Sequence, residues 1–266
     1  MSDYVHGYSD REASRLKDQA DTLAALLHHD TVYPPGSRIL EAGCGIGAQT
    51  VSLAANSPDA RFLSIDVNPE SLRQAERAIA ARGFSNVDFR QADLFHLSED
   101  DAPFDHVFVC FVLEHLPDPK RALGCLSRVL RPGGTITVIE GDHGSYYSHP
   151  RSSKADHVVQ CLIDIQAEMG GDALIGRRVY PLLVDAEFRN VSVSPRMVYV
   201  DSSRPDLVEG FTKNTFIAMV EGVGTQAVAS GMIDPQTWND GIAALYRAAE
   251  KDGTFCYTFF KGVATR

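Results

Sequence analysis

Cysteine is scarce in this sequence and is not arranged to pair. Five residues, Cys44, Cys110, Cys125, Cys161 and Cys256, stand in a chain of 266. Their number is odd, their spacings are wide and no C-x-x-C pair occurs, which excludes a disulfide framework and a zinc knuckle. Reduced, mostly buried thiols are expected. Basic residues are in deficit: 25 Lys and Arg face 35 Asp and Glu, for a formal net charge of −10. No run of Lys and Arg offsets that average, so a polyanion is repelled and no nucleic-acid partner is expected. No apolar run reaches membrane-spanning length. The opening Met-Ser-Asp-Tyr lacks a basic patch followed by an apolar stretch, so a cytoplasmic protein without a membrane partner is expected. Internal repeats and low-complexity tracts are missing, as are H-x-x-x-H, H-x-H and D-x-D patterns, and no metal site is expected.

What is present is an alternation. Ser9 and Glu12 have the spacing of a capping box, and Leu16, Ala20, Leu23 and Leu27 recur at helical spacing over Arg11–His29. Pro34, Pro35 and Gly36 punctuate the chain. Strands are then expected at Arg38–Ala42, Arg61–Ile65, Val87–Arg90, Asp105–Phe111 and Thr135–Glu140. Helices are expected between them at Ala48–Asn56, Pro69–Arg82 and Pro119–Leu130, the second with Asn68 as cap and Pro69 at its first position. Strands alternating with helices of this length imply an α/β fold, a parallel sheet with helices on both faces.

Beyond Gly141 the pattern changes. Helices are expected over Lys154–Met169, Arg177–Ala186, Pro205–Val220 and Pro235–Lys251, with strands over Val191–Val200 and Thr254–Val263. Roughly 50 residues between the last two strands are too many for a hairpin loop and read as a helical insertion. The aromatics Phe211, Phe216 and Tyr246 are assigned to the insertion's own core. The chain divides into an N-terminal segment and helix (1–35), an alternating strand–helix core (36–142) and further helices with closing strands of the same domain (143–266).

The strongest motif is Glu41-Ala-Gly-Cys-Gly-Ile-Gly47, directly after the first strand. Gly43, Gly45 and Gly47 let the backbone turn sharply and approach a ligand without Cβ interference. The spacing is G-x-G-x-G, whereas the dinucleotide fingerprint is G-x-G-x-x-G. Asp66 ends the second strand, where a carboxylate can accept hydrogen bonds from both ribose hydroxyls. Asp93 follows the third strand. Glu41, Asp66 and Asp93 all fall at carboxyl ends of parallel strands, the edge where open α/β sheets bind ligands. A lone Asp in such a place is often only a helix cap; the register of the three with the glycine loop is what carries the inference.

These motifs resemble those of class I S-adenosylmethionine-dependent methyltransferases of the small-molecule type, over residues 36–142 and again at Thr254–Val263. The resemblance implies a Rossmann-like sheet with an N-terminal covering helix. It implies S-adenosylmethionine as cofactor, with S-adenosylhomocysteine as product. It places Glu41, Gly43, Gly45 and Gly47 around the methionine and sugar, Asp66 with Val67 at the ribose, and Asp93 with Leu94 at the adenine. Phe111 and the Val112-Leu113-Glu114-His115-Leu116 segment would lie under the sulfonium, and Arg15 or Gln19 could meet the methionine carboxylate.

After the fifth strand, Glu140-Gly-Asp-His-Gly-Ser-Tyr-Tyr147 and His149 face the acceptor side. Glu140, His143 and His115 are the candidate general bases, needed only if the acceptor must lose a proton. Tyr4, Tyr8, Tyr146, Tyr147 and His149 are candidate acceptor contacts. For His115, Glu114 and Arg15 packing or solvation remains the alternative. The chain, including EGDHGSYYSHP and DGTFCYTFFK, is also similar to bacterial indole C3-methyltransferases of pyrroloindoline biosynthesis, which makes an indole the first acceptor to test. An N- or O-methyltransferase, a nicotinamide-dependent oxidoreductase and a non-catalytic cofactor-binding protein are the alternatives, and a homo-oligomer is left open.

Overall fold

The computed structural model describes residues 15, 19, 22–98 and 103–266. Five strands, β1 (Arg38–Ala42), β2 (Arg61–Asp66), β3 (Val87–Gln91), β4 (Phe104–Cys110) and β5 (Leu130–Gly141), run parallel. Three more complete the sheet: β6 (Tyr147–His149), β7 (Arg189–Asp201) and β8 (Thr254–Thr265). The order is β3-β2-β1-β4-β5-β8-β6, with β7 also paired to β8. β8 enters antiparallel beside β5 and carries β6 and β7, so the closing segment is a strand of the same sheet, as its β-branched and aromatic content predicts.

Residues 22–28 form helix α1, and α2 (Thr50–Asn56), α3 (Pro69–Ala81) and α4 (Pro119–Val129) link the parallel strands. Asn68 caps α3 by accepting from the amides of Glu70 and Ser71, with Pro69 filling a position that needs no donor. Central strands are apolar on both sides because both sides are covered. Ile39 and Phe108 belong to a core shared with α1, α2, α5 (Ser153–Glu168) and the insertion; Leu40, Val107 and Val109 belong to a second core shared with α4 and α6 (Val179–Asp185).

Three local features depart from expectation. β5 begins at Leu130, because the Arg131–Gly134 turn stays in the ladder across a bulge where Leu130 pairs with Phe104. β6 is a three-residue strand too short to announce itself in sequence. The helical stretch from Pro205 contains α7 (Pro205–Leu207), then ten residues of π-helix, Val208–Ile217, then α8 (Ala218–Gly222). α9 (Gly224–Ala229) and α10 (Pro235–Arg247) complete the insertion.

The N-terminal helix is fastened at its end. Lys261 Nζ on β8 donates to Asp30 Oδ1 (2.6 Å) and Thr31 Oγ1 (2.7 Å), and Arg196 pairs with the same Asp30. His28, buried against the Phe108 ring, donates from Nε2 to Gln49 Oε1 at 2.6 Å. Burial disfavours its charged form and brings its pKa down to about 4. The unfolded chain therefore takes up this proton near pH 6.5 while the folded chain does not until about pH 4. Stability present above pH 6.5 is lost as pH falls through that window, by about 2 kcal/mol between pH 7 and pH 5 from this group. Urea unfolding at several pH values checks it: His28→Asn should flatten this part of the profile, and parallel profiles for parent and variant would count against it.

Candidate active site

The glycine loop leaves β1 and turns back beneath β2. Gly43, Gly45 and Gly47 all have positive φ, at 75°, 54° and 79°. A Cβ on Gly43 would meet Val112 Cγ2 at 2.5 Å, and one on Gly47 would meet the Ala75 backbone at 2.9 Å, whereas one on Gly45 would meet nothing within 4 Å. The loop is thus packed on two sides and open at Gly45. Beside that opening, Asp66 accepts from the amides of Gly45 (Oδ2, 2.8 Å) and Asn68 (Oδ1, 2.8 Å), which orients its carboxylate. Val67 next to it is an exposed apolar side chain. Asp93 accepts from Phe95 N at 2.9 Å and lies 2.9 Å from His96 Nδ1, while Leu94 packs inward. Glu41 lies behind the loop, where Oε2 accepts from Ser64 Oγ (2.6 Å) and Thr50 Oγ1 (2.8 Å). Its burial disfavours the charged form and brings its pKa up to about 7.

A cleft of about 500 Å³, counted out to solvent, opens beyond the ends of β4 and β5. Its apolar wall is Phe111, Phe211, Phe216, Tyr257, Phe259 and Met219; its polar groups are Arg15, Gln19, Glu114, His115, His143 and Thr215. Arg15 and Gln19, the positions singled out on the N-terminal helix, are buried here and joined by a 3.2 Å hydrogen bond from Nη1 to Oε1. Phe111 has a φ of 57°, unusual for a non-glycine residue. That turn carries the chain from β4 straight into the cleft wall, with the Phe111 ring 5.5 Å from that of Phe259.

The acids and histidines sort into two layers. Glu140 is fully buried and does not line the cleft; its Oε1 accepts from the amides of Val112 (3.1 Å) and Leu113 (2.8 Å). Burial and the nearby Glu114 carboxylate push its pKa well above the ordinary carboxylate range. Glu114, His115 and His143 do line the cleft. Glu114 Oε1 lies 3.6 Å from His115 Nε2, and its Oε2 lies 3.8 Å from His143 Nε2. His143 Nδ1 is 2.7 Å from the Tyr257 hydroxyl, and burial keeps the imidazole's pKa below its usual value. Asp142, beside it, holds Arg177 through two hydrogen bonds of 2.7 and 2.8 Å and so fixes the turn after β5. Tyr146 lies behind the wall, its ring 5.4 Å from Phe216 and its hydroxyl donating to Asp156 at 2.6 Å. Tyr147 and His149 are exposed on β6, away from the cleft, and Tyr4 and Tyr8 lie outside the described residues.

Phe211 and Phe216 do more than fill the insertion's own core: both rings lie within 6.0 Å of Phe255 and Tyr257 on β8. Tyr246 is at the surface, donating to Glu221. Among the described residues, no group of three or more His, Cys, Asp and Glu is placed to hold a metal, and no helix is long and apolar enough to cross a membrane.

Comparison with known proteins fits this geometry. A methyltransferase-domain family model matches residues 39–134, which span β1 through the turn before the main run of β5. An uncharacterised protein of transposon TN4556 from Streptomyces fradiae is 33% identical over 245 residues, 88% of this chain and 67% of that protein. The 27-O-demethylrifamycin SV methyltransferase of Amycolatopsis mediterranei is 32% identical over 134 residues, 50% of this chain and 49% of that enzyme. The chain belongs to the class I S-adenosylmethionine-dependent methyltransferases.

Two solved structures share the fold of this methyltransferase. One is a Haemonchus contortus phosphoethanolamine N-methyltransferase bound to S-adenosylhomocysteine (TM-score 0.59, 13% identity, 97% of this chain and 58% of that one). The other is the [4+2]-cyclase SpnF (TM-score 0.55, 20% identity, 94% and 80%). The methyltransferase spans about two thirds of its Streptomyces relative and about half of the rifamycin enzyme. Its residues fit the cofactor: the glycine loop is packed at Gly43 and Gly47 but open at Gly45, and the Asp66 carboxylate is oriented beside that opening. Glu114, for which packing is the alternative in sequence, faces the cleft, whereas Thr215, Met219, Tyr257 and Phe259 face it without having been candidates from sequence. Tyr257 was one of several aromatics in a closing strand.

Proposed function

We propose that this chain transfers the methyl group of S-adenosylmethionine to a planar aromatic small molecule bearing an N–H or O–H group, with an indole carbon as the first acceptor to test. The observation that carries this is the cleft wall, in which five aromatic rings and Met219 face a short row of polar groups. Such a wall suits a flat apolar ring, and the polar row suits the one edge of it that carries a donor. Similarity to an enzyme named for a demethylated rifamycin supports an acceptor from secondary metabolism. The net charge of −10 supports a small molecule over nucleic acid.

Bound S-adenosylmethionine supplies an electrophilic methyl carbon. The protein's part is to bind, align and exclude water. Gly43, Gly45 and Gly47 would cradle the methionine and sugar, Asp66 with Val67 the ribose, and Asp93 with Leu94 the adenine. Arg15 and Gln19, which line the cleft, would meet the methionine carboxylate. Of the bases considered from sequence, His143 and His115 line the cleft, which favours them over Glu140.

The test is a panel of indoles, phenols and aliphatic amines with isotopically labelled donor, the methylated atom located by NMR. Methylation of aryl acceptors is expected, with indole carbon among the products. Product only on aliphatic amines would contradict an aromatic acceptor. Phe216→Ala should lower kcat/KM for the aryl acceptors by about 2- to 10-fold, the worth of one ring–ring contact of about 0.5–1.5 kcal/mol. Calorimetry with S-adenosylhomocysteine should show unchanged affinity in the same variant.

A further inference from the structure

We propose that Glu114 is the group that takes the acceptor's N–H or O–H proton, and that Tyr257 and His143 form a hydrogen-bonded pair behind it that keeps it a base. This rests on the aromatic-acceptor proposal above. Glu114 sits at the polar end of the cleft with its backbone immobilised: its carbonyl accepts from Gln166 Nε2 (3.1 Å) and Asp172 N (2.8 Å). Its carboxylate accepts from Gln166 Nε2 at 3.4 Å through Oε2 and lies between two imidazoles, at 3.6 and 3.8 Å, neither a full hydrogen bond. His143 Nε2 is buried and makes no hydrogen bond, while Nδ1 is engaged by Tyr257. A phenol O–H donating to Nδ1 fixes the tautomer with its proton on Nε2, which then points toward Glu114 Oε2 rather than competing with it as a base. The opposite tautomer would set a lone pair against a carboxylate.

The polar groups around Glu114 come from several elements: Arg15 from the N-terminal helix, Cys110 at the end of β4, His115 on its own turn, Glu140 on β5, His143 after β5, Gln166 on α5 and Tyr257 on β8. Glu140 is held by loop amides beneath, and burial opposes protonation of His143, so Glu114 is the cleft-facing carboxylate among the described residues. The step balances as follows. The acceptor atom's electron pair forms the bond to the methyl carbon, and the carbon–sulfur bond breaks with its pair left on sulfur. The N–H or O–H bond breaks with its electrons kept by the acceptor, and the proton passes to the Glu114 carboxylate. His115, partly open to solvent beside Oε1, is the exit for that proton.

The experiment compares the full-length parent, Glu114→Gln and Tyr257→Phe, with indole and 1-methylindole as acceptors and 2-naphthol as a probe bound to the S-adenosylhomocysteine complex. Glu114→Gln should lower the rate on indole by about 100-fold or more, the low end for general-base assistance. It should change the rate on 1-methylindole, which has no N–H to lose, far less. The acid limb of the parent's pH–rate profile should vanish in Glu114→Gln and shift in Tyr257→Phe, with Glu114→Asp restoring part of the rate. Fluorescence titration of 2-naphthol should show about tenfold weaker binding to Glu114→Gln. Equal losses on both indoles, an unchanged acid limb or unchanged naphthol binding would overturn the role of Glu114 while leaving the aromatic acceptor standing. Should Glu114→Gln fail to fold, the pH profile of Tyr257→Phe decides: an unmoved limb overturns the role of the pair. A parent that binds neither indole nor naphthol would overturn the aromatic acceptor itself and this role with it.

Discussion

Gly47→Ala is expected to cost the protein about 2–5 kcal/mol of stability, the sum of about 1–2 for a non-glycine residue in left-handed backbone and about 1–3 for overpacking. The residue has a φ of 79°, and its added methyl would lie 2.9 Å from the backbone of Ala75, a fully buried residue of α3. Backbone cannot yield as a flexible side-chain end can. Gly45→Ala is the control: its φ of 54° carries the conformational cost, but nothing lies within 4 Å of the new atom. It should lose only about 1–2 kcal/mol and should instead weaken cofactor binding, since the open side of the loop is where the cofactor would approach. Urea unfolding of the two variants, with calorimetry of S-adenosylhomocysteine on each, checks both halves. Equal stability losses would mean that the loop does not pack on α3 as described.

Asp66→Ala is expected to weaken S-adenosylmethionine binding by about 1.5–3 kcal/mol, the range for hydrogen bonds to a charged group. That is a loss of roughly 10- to 150-fold in affinity. The carboxylate accepts from Gly45 and Asn68 amides, so its removal also releases the loop that borders the cofactor. A small fall in thermal stability should accompany the loss. Unchanged affinity by calorimetry would remove Asp66 from the cofactor site.

The cofactor half of the molecule was legible in sequence because its signals are local. A glycine loop, a carboxylate at a strand end and an N-cap each depend on a few adjacent residues, and the parallel sheet follows from their order. The acceptor half is assembled from five distant segments, and there single residues misled. Glu140 looked like a cleft acid because it ends a central strand. It instead satisfies loop amides at Val112 and Leu113, next to the turn that Phe111 makes with positive φ. Phe211 and Phe216 are five apart, which an ordinary helix turns to faces about 140° apart. In the π-helix they reach the same two rings of β8, so a helical period could not assign them to the cleft. Glu114 was visible but ambiguous, since much of its chemical surroundings comes from distant segments, His143 from the turn after β5, Gln166 from α5 and Tyr257 from β8.

A shared fold with a [4+2]-cyclase means that architecture alone does not establish methyl transfer. The most direct measurement is incubation of the purified chain with donor labelled in its methyl group and a cell extract, followed by mass spectrometry of the small molecules and of the spent cofactor. The result predicted is label in an aromatic small molecule, matched by an equal amount of S-adenosylhomocysteine and abolished in Asp66→Ala. Tight cofactor binding with no labelled product, in extract or across the acceptor panel, would contradict it.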